Sequence, residues 1–213
     1  MTTEWFAFAG AIAGVIALVA SQRLVTLVAR DIGVVPARFP RWAYVGAAMV
    51  GAVVGAVSIA RNENETASST TLITIVTALM LVQAPLDLTT RRLYRSVTLV
   101  ASAATLLVVG FAAKDDISSA LVALGATVAV AAVYMVLHKV SPSSLGWGDV
   151  LLVVPLALAV CYVALDRVAV WQLLASVTGA LHALVARRLR GTRSIPFGPH
   201  LLLAAWLVLL ASV

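Results

Sequence analysis

Apolar stretches about as long as a bilayer is thick follow one another along nearly the whole chain, separated only by short polar breaks. A helix needs roughly 20 mostly apolar residues to cross about 30 Å of hydrocarbon, so each stretch predicts a membrane-crossing helix. Composition points the same way. With 62% of the 213 residues hydrophobic and 11% charged, the polar side chains are too few to coat a water-soluble globule of this size. The expected fold is an all-α, polytopic membrane helix bundle. It forms one integral membrane domain over residues 1–213, embedded in a lipid bilayer and with no room for a separate soluble domain.

The apolar runs define eight candidate helices, near residues 5–29, 42–60, 70–87, 97–113, 117–138, 150–165, 168–187 and 197–212. The sixth is short and carries Pro155, which a membrane helix accommodates as a kink where neighbouring groups satisfy the freed carbonyl; a seven-span count therefore stays open. The N-terminal Met1-Thr2-Thr3-Glu4-Trp5 has no basic region, and the run behind it is too long for a signal-peptide core without a cleavage site. It reads as a retained first span. The Gly10/Gly14 and Gly51/Gly55 pairs have the spacing that lets membrane helices approach closely. Packing inside one bundle explains them as well as an oligomer does.

The polar breaks alternate in charge. One set holds Arg30, Arg38 and Arg41, then Arg91, Arg92 and Arg95, then Lys139, then Arg187, Arg188, Arg190 and Arg193; the other holds Arg61, Lys114 and Arg167. The basic set belongs in the cytoplasm of a multi-pass inner or plasma membrane protein, which puts both termini on the far side. The far side also collects Glu4, Glu63, Glu65, Asp115, Asp116 and Asp166, leaving Asp31, Asp87 and Asp149 with the arginines. This distribution accounts for the net charge of +6, so the positive charge gives no support for nucleic-acid binding. Cys161 is the only cysteine and lies in an apolar run, which excludes an intramolecular disulfide and a multi-cysteine metal site. No metal or organic cofactor is expected.

Asp87 ends the run Leu79 to Leu86, and Asp149 directly precedes Val150 to Val154. An aspartate at a helix centre costs roughly 2.5–3.5 kcal/mol to insert, and less near the interface, so two at span edges want a reason. Hydrolysis of a peptide by two carboxyls is one: an ionised carboxylate activates water while a protonated partner donates to the carbonyl oxygen. Neighbouring carboxyls repel, which favours sharing a single proton. The charge pattern brings the helices of Asp87 and Asp149 in from the same face. Against this, Arg91 lies four residues after Asp87, where a continued helix would pair them as an interfacial anchor. Asp149 has no basic residue close in sequence. It is preceded by Gly146-Trp147-Gly148, whose glycines permit close approach of another chain.

Three segments, in order and spacing, resemble the prepilin peptidase or type IV leader peptidase family of Gly-x-Gly-Asp membrane aspartyl proteases. Asp87 to Leu99 is similar to the family's Asp, short polar loop, turn and Leu-Thr, with Tyr94-Arg95 in place of a Pro-Asn or Pro-Asp turn. Leu145-Gly146-Trp147-Gly148-Asp149-Val150-Leu151 resembles Gly-x-Gly-Asp-x-Lys, with Leu151 where lysine is usual. Ile195-Pro196-Phe197-Gly198-Pro199 is similar to a segment opening the family's last helix. The resemblance covers residues 80–212 well and the first 70 poorly, defining a peptidase core over about 70–212.

The resemblance implies catalysis by Asp87 and Asp149, with backbone support from Gly146, Gly148, Pro196 and Gly198. It implies a prepilin or pseudopilin substrate, cut at the cytoplasmic interface after its short basic leader. Longer relatives carry a cysteine-bearing insert and also methylate the product; the loop from Arg30 to Arg41 has no cysteine, so methyltransferase activity is not expected. The related presenilin-like group pairs its motif with a Tyr-Asp and a Pro-Ala-Leu, and neither occurs here. Two other functions remain in view. A proton- or cation-coupled transporter needs acids along a path, and here both candidate acids share one face. A catalytically silent scaffold of a pilus or secretion system needs only the packing. His138 and His182 read as helix-end or inter-helix residues, and His200 stands nearer the third motif.

Overall fold

The computed structural model describes residues 67–142, 145–190 and 195–212, with single positions before residue 67. The expected spans near residues 5–29 and 42–60 lie, scattered positions apart, outside the described residues, as do Gly10, Gly14 and Gly55. The remaining six apolar runs each form a helix: α1 (Ala67–Thr90), α2 (Arg95–Ala112), α3 (Ile117–Val140), α4 (Trp147–Val163), α5 (Val168–Arg190) and α6 (Gly198–Ala211). A 3₁₀ turn, Leu165–Arg167, leads into α5. Among the described residues there is no strand.

Four segments, Ala67–Leu88, Arg95–Ala112, Ile117–Val140 and Leu165–Leu189, are long and apolar enough to cross a membrane. The other two fall short of the expectation. α4 has 17 residues and α6 has 14, or about 25 and about 21 Å at about 1.5 Å per residue. The described residues therefore hold four helices of full spanning length, where the sequence predicts six, or five on the seven-span count. Pro155 lies inside α4 without ending it.

Burial explains the architecture. α4 is apolar all round, the pattern of a helix enclosed on every side, and Leu152, Val153, Leu156, Ala157 and Val160 are completely buried. It packs against α1, α2, α3 and α6, while α6 is also flanked by α1 and α5. The peripheral helices bury one stripe and display apolar side chains on the other, among them Leu107, Val128 and Leu173, a surface suited to lipid. Interior hydroxyls are satisfied locally: Thr77, Thr105 and Thr127 donate to the carbonyls of Ile73, Ala101 and Ala123 one turn back. Two indoles join helices, Trp171 donating to the Leu201 carbonyl and Trp206 to Thr77 Oγ1, each at 3.1 Å.

At the start of α3, Asp116 is the N-cap and accepts from Ser118 Oγ, the Ser119 amide and Ser119 Oγ. These donors, the Ser118 hydroxyl foremost, hold its carboxyl down at about 2. A depressed carboxyl stabilises the folded form above its ordinary value of 3.8, and that contribution disappears as pH falls through about 2. Asp116→Ala should accordingly speed hydrogen exchange in the first turn of α3 at neutral pH, with Asp116→Asn retaining most of the protection. Equal exchange in Asp116→Ala and wild type would count against the cap.

Candidate active site

The C-terminus of α1 and the N-termini of α4 and α6 meet at one end of the bundle. They enclose a cavity of about 410 Å³ whose wall includes Asp87, Asp149, Gly146, Gly148 and Ile195 to Phe197. Both aspartates are buried, at 5% and 8% exposure, and their carboxyls interact electrostatically. The structure thus brings together two residues far apart in sequence.

Each carboxyl is met by a helix N-terminus. Asp149 occupies the third position of α4, and its Oδ2 accepts from the Gly146 amide at 3.1 Å. The backbone of Gly198 at the start of α6 closely approaches the Asp87 carboxyl and interacts with it. Unpaired amides at a helix start, with the positive end of its dipole, favour negative charge. The proposed arginine anchor does not form: among the described residues no ion pair within 4.0 Å joins Asp87 to Arg91. The reason is local. α1 stops at Thr90, and Arg91 takes a left-handed φ of 53° while its amide still closes the last turn onto the Asp87 carbonyl at 2.8 Å. That reversal removes Arg91 from the helical register in which residues four apart share a face. Arg91 and Arg92 instead contribute exposed side chains to the cavity wall.

The motif glycines are explained by close approach. A Cβ on Gly198 would lie 2.7 Å from Asp87 Oδ2 and 3.1 Å from Leu93 Cδ2, and one on Gly148 would lie 3.1 Å from Leu93 Cβ. Leu93, from the α1–α2 turn, is therefore wedged against both helix starts. Gly146 is more open, its nearest neighbour being Asp149 Oδ2 at 3.3 Å. Pro196 lines the cavity beside Phe197, and Phe197 in turn packs on Gly179 of α5, where a Cβ would meet its ring at 3.0 Å. Leu151, at the position of the family's lysine, is half-buried and outside the cavity wall.

Two contributors escaped the sequence reading. Leu93 is one. The other is Gln83, fully buried in α1. Its Nε2 donates to the Tyr94 carbonyl at 2.8 Å and to Thr98 Oγ1 at 2.9 Å, and its Oε1 accepts from the Tyr94 amide at 2.9 Å. Tyr94 is the N-cap of α2 and has no side-chain cap of its own; Gln83 caps it from the neighbouring helix. This clasp closes the turn that lacks the family's usual Pro-Asn or Pro-Asp. The signal was a lone polar residue within Leu79 to Leu86. Gln83→Leu leaves the Tyr94 amide without this partner and should destabilise the protein by about 1–3 kcal/mol, read as a lower unfolding temperature in detergent.

The histidines lie elsewhere. His138 Nδ1 donates to the Leu145 carbonyl at 2.7 Å and its ring leans on Trp147, tying the end of α3 to the entrance of α4. His182 Nδ1 and His200 Nε2 are 2.9 Å apart and join α5 to α6. Among the described residues no group of three or more His, Cys, Asp or Glu side chains is placed to hold a metal ion.

A family model described as the type IV leader peptidase family matches residues 74–184, just over half of the chain. The chain belongs to that family. No curated protein and no solved structure gives a match. A type IV leader peptidase is a protease, which gives this membrane protein peptide substrates and a hydrolytic chemistry. The matched region runs from within α1 into α5 and contains both aspartates. It ends before Ile195 to Pro199, yet Gly198 of that segment touches Asp87; in this leader peptidase the cavity is completed from outside the matched stretch.

Proposed function

We propose that this leader peptidase is an aspartyl endopeptidase that removes the short basic leader of a prepilin or pseudopilin, with Asp87 and Asp149 as the catalytic pair. The observation that carries this reading is the pair itself: two buried carboxyls on one cavity, each set against the backbone of a helix start rather than against a cation. A neutral backbone amide favours the ionised carboxyl less strongly than the full charge of an arginine would, which suits a pair that must pass a proton back and forth.

In the proposed reaction one proton is shared by the pair. The ionised carboxylate takes a proton from water as its oxygen attacks the scissile carbonyl, and the protonated carboxyl donates to the carbonyl oxygen. The carboxyl that took the proton from water then gives it to the departing nitrogen as the C–N bond breaks. The other carboxylate recovers a proton from a hydroxyl of the tetrahedral intermediate, and the products are a carboxylic acid and an amine with one proton again on the pair. The required groups are all on the chain, and no cofactor takes part. Gly146, Gly148, Pro196 and Gly198 support the cavity by their compactness or fixed backbone.

The alternation of basic and acidic breaks supports placing the site at the cytoplasmic face of the inner or plasma membrane. The cysteine-free loop between Arg30 and Arg41 supports a peptidase without methyltransferase activity. Co-expression with a prepilin bearing a basic leader, a glycine before the cleavage point and an apolar segment tests the cleavage and the lack of methylation together, with the product's N-terminus read by mass spectrometry. The expected product starts after the glycine and carries no methyl group. A methylated terminus would overturn the peptidase-only assignment, and uncut substrate would favour a scaffold.

A further inference from the structure

A second cavity, of about 570 Å³, adjoins the first between α3 and α5. These helices pack on α4 and α6 rather than closely on each other, which leaves a groove between them. Its walls are mainly apolar, with Val133 and Leu137 on α3 facing Ser176 on α5. Ile195 and Phe197 line both cavities, so the groove continues directly into the aspartate site. One hydrogen bond crosses it: Tyr134 Oη donates to Gln172 Oε1 at 2.5 Å.

That bond leaves Gln172 Nε2 buried with no partner, the single such side-chain atom among the described residues. A buried unmade hydrogen bond costs about 1–3 kcal/mol. Turning the amide over does not remove the cost, because one of its two polar atoms then loses its partner instead. An arrangement of this kind, in an otherwise apolar groove, is complementary to an extended apolar polypeptide. Such a chain covers the walls with its side chains and offers both carbonyls and amides to the one polar group.

We propose that the α3–α5 groove holds the apolar stretch of the substrate next to its scissile bond, with Gln172 hydrogen-bonding the substrate main chain. The assignment rests on the peptidase reading and adds the substrate path to it. A peptide bond must leave helical geometry to be attacked, and in an apolar setting its freed main-chain groups need replacement partners. Gln172 supplies one, at a cost already present in the unoccupied protein. Tyr134 holds the amide in place from the opposite wall and lies within electrostatic range of Asp149.

Two measurements on the full-length protein test this. In the first, a photo-crosslinking residue replaces Val133 or Leu137, both about half exposed on the groove wall, in an Asp149→Asn background co-expressed with the prepilin described above. Crosslinks to the substrate's apolar stretch are expected. Crosslinks only to lipid, or only to residues 1–66 of the same chain, would overturn the proposal. Because this measurement needs no cleavage, a failure of the peptidase reading would not be mistaken for a failure of the groove.

In the second, Gln172→Leu is compared with wild type in cleavage kinetics. Loss of one substrate hydrogen bond should raise KM about tenfold, the equivalent of about 1.4 kcal/mol, with kcat within about threefold. An unchanged KM would overturn the role of Gln172, as would a lowered kcat accompanied by loss of folded protein. Tyr134→Phe should give a smaller increase in KM, since it frees the amide without removing it.

Discussion

Asp87→Asn and Asp149→Asn should each slow leader removal by about 10²–10⁴-fold, the usual range for loss of a general acid or base. Asparagine keeps the shape of the carboxyl and an oxygen that can stand against the Gly198 backbone or accept from the Gly146 amide, so the folded protein should accumulate normally. It cannot take up or release the shared proton. If the two act as one device, the double variant should be no more than a few-fold slower than the poorer single variant, because removing either half already disables the pair. A pulse-labelled processing assay, with membrane-inserted protein as the loading control, measures all four forms. Wild-type processing by either single variant would sink the dyad. Multiplying losses in the double variant would mean that the aspartates contribute independently.

The apolar runs made the helices readable because lipid-facing and enclosed helices alike must be continuous and apolar. All six runs after residue 67 are helical. Length was only partly legible: the sixth run, over 150–165, already read as short, whereas nothing marked the last run, over 197–212, as a helix of only 14 residues, because hydropathy does not stop at a helix end. The aspartates stood out because charge in an apolar context is costly. Whether Arg91 paired with Asp87 turned on one left-handed residue, and nothing in Leu88 to Leu93 signals a positive φ at an arginine. Leu93 was invisible for a different reason. It is an ordinary leucine whose importance comes from the missing side chains of Gly148 and Gly198 opposite it. Gln83 could have been found, since a buried amide in an apolar helix must have partners; naming Tyr94 and Thr98 as those partners required the path of the turn.

Gly198→Ala is expected to injure activity far more than stability. The added methyl would stand 2.7 Å from Asp87 Oδ2 and 3.1 Å from Leu93 Cδ2, and no left-handed backbone is involved, so the whole effect is steric. Both contacts are with ends of side chains, which can give way; overpacking of this kind costs about 1–3 kcal/mol. The relief, however, comes by moving the Asp87 carboxyl, and a displacement near 1 Å in a reacting group can cost about 10²-fold in rate. Leader cleavage should therefore fall about 10²-fold while the unfolding temperature drops only a few degrees. Gly146→Ala is the control, with 3.3 Å to Asp149 Oδ2 and an exposed position, and it should lose much less activity. Adding Asp87→Ala to Gly198→Ala removes the clashing oxygen and should restore the unfolding temperature without restoring cleavage. Adding Leu93→Ala leaves the 2.7 Å contact in place and should restore neither fully. A cycle in which Asp87→Ala and Gly198→Ala destabilise additively would show that the glycine does not act through the aspartate.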